Sequence, residues 1–203
     1  RYHRAGASGI YVFNWHANGD SKRLLLTTIG APETLATQDK IYAATHRFIQ
    51  REGAWRGAFR IDRIYGQVPV DLERTLTGEG PTITLDVADD FGAHKPTLVQ
   101  LRLRINEWTH GDAVRVWWDG QALDSPEIDY CTLSNPTPPG GAFQPLPHWR
   151  DIAEVSSAVW LSWDLSEAVL STGEHAVRIA VQERNPQVGV ALALTDVELV
   201  VRY

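Results

Sequence analysis

The sequence predicts a mainly β protein, an antiparallel jelly-roll β-sandwich preceded by a short β/α segment. Three observations carry that reading. Beyond residue 65, apolar residues recur with a period of two in seven short segments, the periodicity of half-buried strands. Gly, Pro, Asn and Asp fill the gaps between those segments, as turns require. Before residue 65 the order is instead strand, loop, helix. The chain is therefore expected to divide into a β/α part over 1–64 and a sandwich over 65–203.

In the first part, Ile10, Tyr11, Val12 and Phe13 form a continuous apolar run, which fits a strand buried on both faces, as in parallel α/β sheets. The strand, Gly9–Trp15, ends in Asn14, Trp15 and His16, and the carboxyl ends of such strands are where parallel α/β folds gather ligand chemistry. The polar loop HANGDSKR and the run Leu24–Ile29 follow. A helix is expected next: Pro32 suits a first turn and Glu33 the positive end of the dipole, while Leu35, Ile41, Tyr42 and Thr45 carry a broken apolar stripe. Gly53 and Gly57 close this part, which cannot bury both of its faces alone.

In the second part, strands are expected at Thr82–Val87, Leu98–Ile105, Val114–Trp118, Val159–Leu165, Ala176–Val181, Val188–Leu194 and Val197–Tyr203. The alternation is cleanest in Leu101-Arg102-Leu103-Arg104-Ile105, where both arginines face away from the core. Tyr130–Arg150 is rich in Pro and Gly and reads as a long irregular loop. With seven short strands and little helix between them, the pattern is that of a jelly roll.

Composition narrows the function classes. A net charge of -6 argues against a nucleic-acid or anionic-membrane partner. No apolar run approaches the length of a membrane span. Cys131 is the single cysteine, so no internal disulfide forms. With no methionine, the chain is expected to be a processed or partial product. Eight tryptophans against five phenylalanines suit a sugar-handling protein and a sandwich core equally.

GIYVFNW and the later LLTTIGAPETLATQDKIYAAT resemble the last strand and helix of a bacterial glycoside-hydrolase-type (β/α)8 barrel followed by a carbohydrate-binding-like β-sandwich. Gly9, Ile10, Tyr11, Phe13 and Asn14 match the strand pattern GIYLFN. Ile29, Gly30, Pro32, Glu33, Leu35, Asp39, Lys40 and Tyr42 match the helix start. These motifs cover about a quarter of the chain. VRVWWDGQAL is similar to a hairpin of carbohydrate-binding jelly rolls, and TDVELVVRY to their terminal strand. The resemblance implies a glycan partner, an upstream barrel, and an extracellular or periplasmic setting. A barrel glycosidase holds two carboxylates about 5–10 Å apart across its mouth. The family supplies them from earlier strands, so this chain by itself is not expected to hydrolyse a glycan.

Three groups of residues are candidate ligand contacts. Within a barrel, the resemblance implies that Trp15 floors a sugar subsite while Asn14 and His16 bond its hydroxyls; otherwise Trp15 packs in the core and His16 lies in a solvated loop. On the sandwich, Val114, Val116 and Trp118 are expected inward and Arg115 and Trp117 outward. Val159, Leu161, Trp163 and Leu165 share one face, which leaves Trp160 on the other with Ser162 and Asp164. Trp117, Trp160, Arg102 and Arg104 then form a platform on which a pyranose ring stacks, or an interface covered by the long loop or the barrel. Tyr130 and Trp149, at the ends of the long loop, either line a cleft or pin the loop.

No catalytic constellation is readable. The seven histidines show no metal-ligand spacing, so no transition-metal cofactor is expected. Asp86, Asp89 and Asp90 suit either a structural calcium site or a solvated turn.

Overall fold

The computed structural model describes residues 2–3, 5–10, 20–45, 66–72, 79–131, 158–165 and 170–203. Their order is α1 (Asp20–Thr28), α2 (Pro32–Leu35), β1 (Lys40–Ala43), β2 (Val70–Leu72), β3 (Thr82–Val87), β4 (Leu98–Asn106), β5 (Ala113–Trp118), β6 (Gln121–Ala122), β7 (Glu127–Cys131), β8 (Ala158–Asp164), β9 (Gly173–Glu183) and β10 (Leu192–Arg202). The strands make two sheets. The first runs β1-β10-β4-β8-β7, with β2 also on β10, and the second runs β3-β9-β5-β6. Every pairing is antiparallel.

Alternation decides which residues meet between the sheets. Leu101, Leu103 and Ile105 of β4 and Val159 and Leu161 of β8 are fully buried from one side, and Val177 and Ile179 of β9 and Trp118 of β5 from the other. These residues belong to one apolar cluster. The inward and outward assignments expected for β4, β5 and β8 hold: Val116, Trp118, Trp163 and Leu165 are buried, whereas Arg115 and Asp164 are exposed.

Two expected elements are corrected. Val188–Leu194 and Val197–Tyr203 are not separate strands; β10 runs through both, beginning at Leu192. A bulge between Leu194 and Asp196 shifts the register by one residue, so Leu192 and Leu194 point inward and, beyond it, so do Val197, Leu199 and Val201. The broken alternation imitates a strand boundary. The helix expected through Tyr42 and Thr45 is also overturned. Among the described residues of this segment only Pro32–Leu35 is helical, and Lys40–Ala43 pairs with Val201–Glu198 of β10. Tertiary pairing wins over the local helix signals because it places Tyr42 against the core. The Lys40 ammonium donates to the carbonyls of Leu35 (2.6 Å) and Ala36 (3.2 Å), a cation at the end of the short helix. The first sheet thus draws an edge strand from before residue 65. Of the strand expected at Gly9–Trp15, residues 11–15 lie outside the described residues, as do 132–150 of the long loop expected at Tyr130–Arg150; Tyr130 and Cys131 belong to β7.

Two close fits hold the sheets in place. At one end, where β4 crosses to β5 and β9 crosses to β10, Asp112 is buried. It accepts hydrogen bonds from Thr109 N (2.6 Å), Thr109 Oγ1 (2.9 Å), Arg184 Nη1 (2.5 Å) and Asn185 N (2.8 Å). Burial alone would raise its pKa, but Arg184 and the other donors outweigh that and hold the carboxyl below its ordinary value. On the second sheet, a Cβ at Gly80 would stand 1.7 Å from the carbonyl oxygen of Ile179, so no larger residue fits this approach to β9.

Candidate functional site

The outer surface of the first sheet is a grid built by strand register, because residues directly opposite in an antiparallel pair share a face. Asp196, Arg104, Trp160 and Asp129 line up across β10, β4, β8 and β7. The next row reads Ala43, Glu198, Arg102, Ser162 and Glu127. The row beyond reads Ile41, Val200, Gln100 and Asp164. The half-buried indole of Trp160 lies under the Arg102 guanidinium, whose central carbon is 4.3 Å from the ring centroid. Arg104 reaches Asp196 at 3.8 Å, a loose ion pair. Among the described residues its buried Nε meets no hydrogen-bond acceptor, and the buried Asn106 Oδ1 meets no donor.

The second sheet presents its own indole on the opposite side of the molecule. Thr82, Arg178, Trp117 and Ala122 form one row, with Arg115 opposite Ala180 in the next. Arg178 lies 3.7 Å and Arg115 5.5 Å from the centroid of Trp117. The single platform expected from Trp117, Trp160, Arg102 and Arg104 is therefore corrected. Outward residues of two facing sheets point away from each other across a core about 10 Å thick. Trp160, Arg102 and Arg104 come together, and Trp117 does not join them.

Tyr130 is 61% exposed and lies opposite the buried Val159, so it projects from the inward side of β7, away from Trp160. Asn14, Trp15, His16 and Trp149 lie outside the described residues. The grid also contains residues that the sequence reading missed, above all Glu127 and Asp129. Their signal was present: Glu127-Ile128-Asp129-Tyr130 alternates polar and apolar directly after Pro126.

Two hollows flank the edge where the chain leaves β6 and crosses to β7. Trp163 Nε1 donates to the Asp124 carbonyl (2.7 Å) and pins this crossing. The inner hollow, about 490 Å³, has an apolar wall of Trp108, Val114, Leu123 and Ile128. The outer one, about 330 Å³, adjoins the Trp160 face and takes in Gln100, Asp124, Ser125, Glu127, Ser162 and Asp164.

The three aspartates considered for calcium have separate partners. Asp89 is buried and bonded to Lys40 at 2.8 Å. Asp90 Oδ1 accepts from Gly92 N (3.0 Å) and Ala93 N (3.1 Å), closing a turn. Asp86 lies on the outer surface opposite Glu174. Burial, with the Asp89 carboxylate close by, pushes the Tyr42 and Tyr203 phenols above their ordinary value. Among the described residues, no three His, Cys, Asp or Glu side chains converge as metal ligands.

No known family model matches the chain, and no curated protein matches it.

Proposed function

We propose that this chain is a non-catalytic accessory sandwich of a carbohydrate-active protein, and that it holds a glycan on the outer face of its first sheet. The observation that carries the reading is the row Asp196, Arg104, Trp160, Asp129 with Arg102, Ser162 and Glu127 beside it. A sugar ring offers an apolar face for stacking, and hydroxyls that both donate and accept. Trp160 supplies the aromatic surface, the arginines donate, the carboxylates accept, and Ser162 does both. Trp117 has guanidinium groups, Thr82 and Ala122 as its neighbours, a poorer match to hydroxyl groups.

Strand order supports the finer fold reading as a jelly roll. β2 pairs with β10, β3 with β9 and β4 with β8, alternating between the two sheets, as when one long hairpin is rolled into a sandwich. The sequence resemblance of GIYVFNW and of the helix start at Pro32 to the end of a barrel is what supports a catalytic barrel as its covalent neighbour, although Lys40–Ala43 of that motif pairs with the sandwich.

Affinity electrophoresis of the whole chain through gels containing different polysaccharides tests the reading. Retardation by at least one glycan is expected, with at least a tenfold loss in Trp160→Ala and none in Trp117→Ala. Equal binding by both variants would move the site elsewhere. Absence of retardation by any glycan would favour a second reading, a surface for buttressing the barrel or another protein. The observation behind that alternative is the exposure of Leu24 (64%), Leu26 (43%) and Ile41 (55%).

A further inference from the structure

The charge around Trp160 carries the reading further, to the class of sugar. The three rows of the grid hold five carboxylates, those of Asp129, Asp196, Glu198, Glu127 and Asp164, and the two guanidinium groups of Arg102 and Arg104. Arg104 stands beside Asp196, and Arg102 lies over the indole. Glu198 lies opposite Arg102 on β10, and the other three acids, Glu127, Asp129 and Asp164, lie at the β7–β8 margin. There the outer hollow of about 330 Å³ is bordered by Asp124, Glu127 and Asp164, with Gln100, Ser125 and Ser162 between them, and among the described residues no Lys, Arg or His lines it. All three of these carboxylates belong to exposed residues.

From this arrangement we infer that the platform selects a cationic glycan, one whose sugars carry free amino groups. This inference rests on the glycan-binding reading above. Ser162 and Glu127 lie two residues along β8 and β7 from the Trp160 row, about 7 Å away. A sugar stacked on the indole therefore places its neighbour over the hollow, where an ammonium group meets carboxylates and a hydroxyl. Ammonium–carboxylate bonds are charge-assisted and stronger than neutral ones. The same field opposes a uronic acid, because a sugar carboxylate would face like charges. The indole itself already hosts a cation: the position of Arg102 at 4.3 Å shows that its face is open to positive charge. Arg102 on β4 lies directly opposite Glu198 on β10, so it has a carboxylate to move onto when a sugar takes the ring.

Titration calorimetry of the whole chain tests this with four probes: oligomers of glucosamine, N-acetylglucosamine, glucose and galacturonic acid. A mildly acidic buffer keeps the sugar amines charged. The glucosamine oligomer is expected to bind about tenfold more tightly than its acetylated form, and to lose that advantage in high salt. Glu127→Gln and Asp164→Asn each should shrink the preference several-fold without changing the melting temperature, since both side chains are exposed. Acetylated, neutral or acidic oligomers binding as well as the amino sugar would overturn the inference and leave the platform reading standing. Trp160-dependent binding to none of the four, with a folded protein, would remove the platform and the inference together.

Discussion

Both sheets carry an indole on the outer surface beneath a guanidinium, yet the two indoles keep different company. Trp117 lies between Arg178 and Arg115, with Thr82 and Ala122 in its row. Trp160 has one stacked arginine, a second in its own row, and carboxylates on both flanks. A lone cation–π stack covers apolar area and adds modest stability. Such a stack set among donors and acceptors in register is also equipped to exchange its partner for a polar ligand. The contrast teaches that an outward tryptophan becomes informative through its cross-strand neighbours, and those are assigned by pairing rather than by its own strand.

The largest expected effect abolishes the contrast by harming both faces at once. Asp112→Ala leaves Arg184 buried without its carboxylate where both crossings between the sheets meet, at a cost of about 3–5 kcal/mol. Urea unfolding should show that loss, and glycan binding should fail only where the protein unfolds. The same anchor has a pH signature. Because the folded carboxyl lies below its ordinary value of 3.8, the stability it supplies is complete above that value and fades as pH falls through the lower, folded one. Thermal melts should therefore show the gap between the native chain and Asp112→Asn closing only in strong acid. A gap of constant size from neutral pH to pH 2 would assign the effect to packing. The smallest expected effect sharpens the comparison. Arg178→Ala should lower stability by about 0.5–1 kcal/mol and leave glycan binding unchanged. Arg104→Ala, by contrast, should weaken binding several-fold, since it removes a donor from the Trp160 row. Equal effects of the two changes on binding would erase the distinction between the faces.

Much of the fold was legible residue by residue. The alternation in Leu101–Ile105 and Val159–Leu165 told correctly which side chains enter the core, because burial of one sheet face imposes period two regardless of partner. β1 was hidden behind a true helix start at Pro32, and its pairing with β10 depends on residues at the far end of the chain. β7 escapes the sequence reading because the expected loop takes in its last two residues, Tyr130 and Cys131, and the alternation left at Glu127–Asp129 is only three residues long. The bulge at Thr195 split β10 in two because it breaks the very periodicity used to find strands.

The site divides along the same line. By itself, the sequence determined that Trp117, Trp160, Arg102 and Arg104 point outward, since orientation along a strand follows from alternation. Only the tertiary structure decided that three of them share a face with Asp129, Asp196 and Glu127 while Trp117 lies on the other side. Register between distant strands is set by which apolar faces fit together in the core, and no local pattern on any one strand records it.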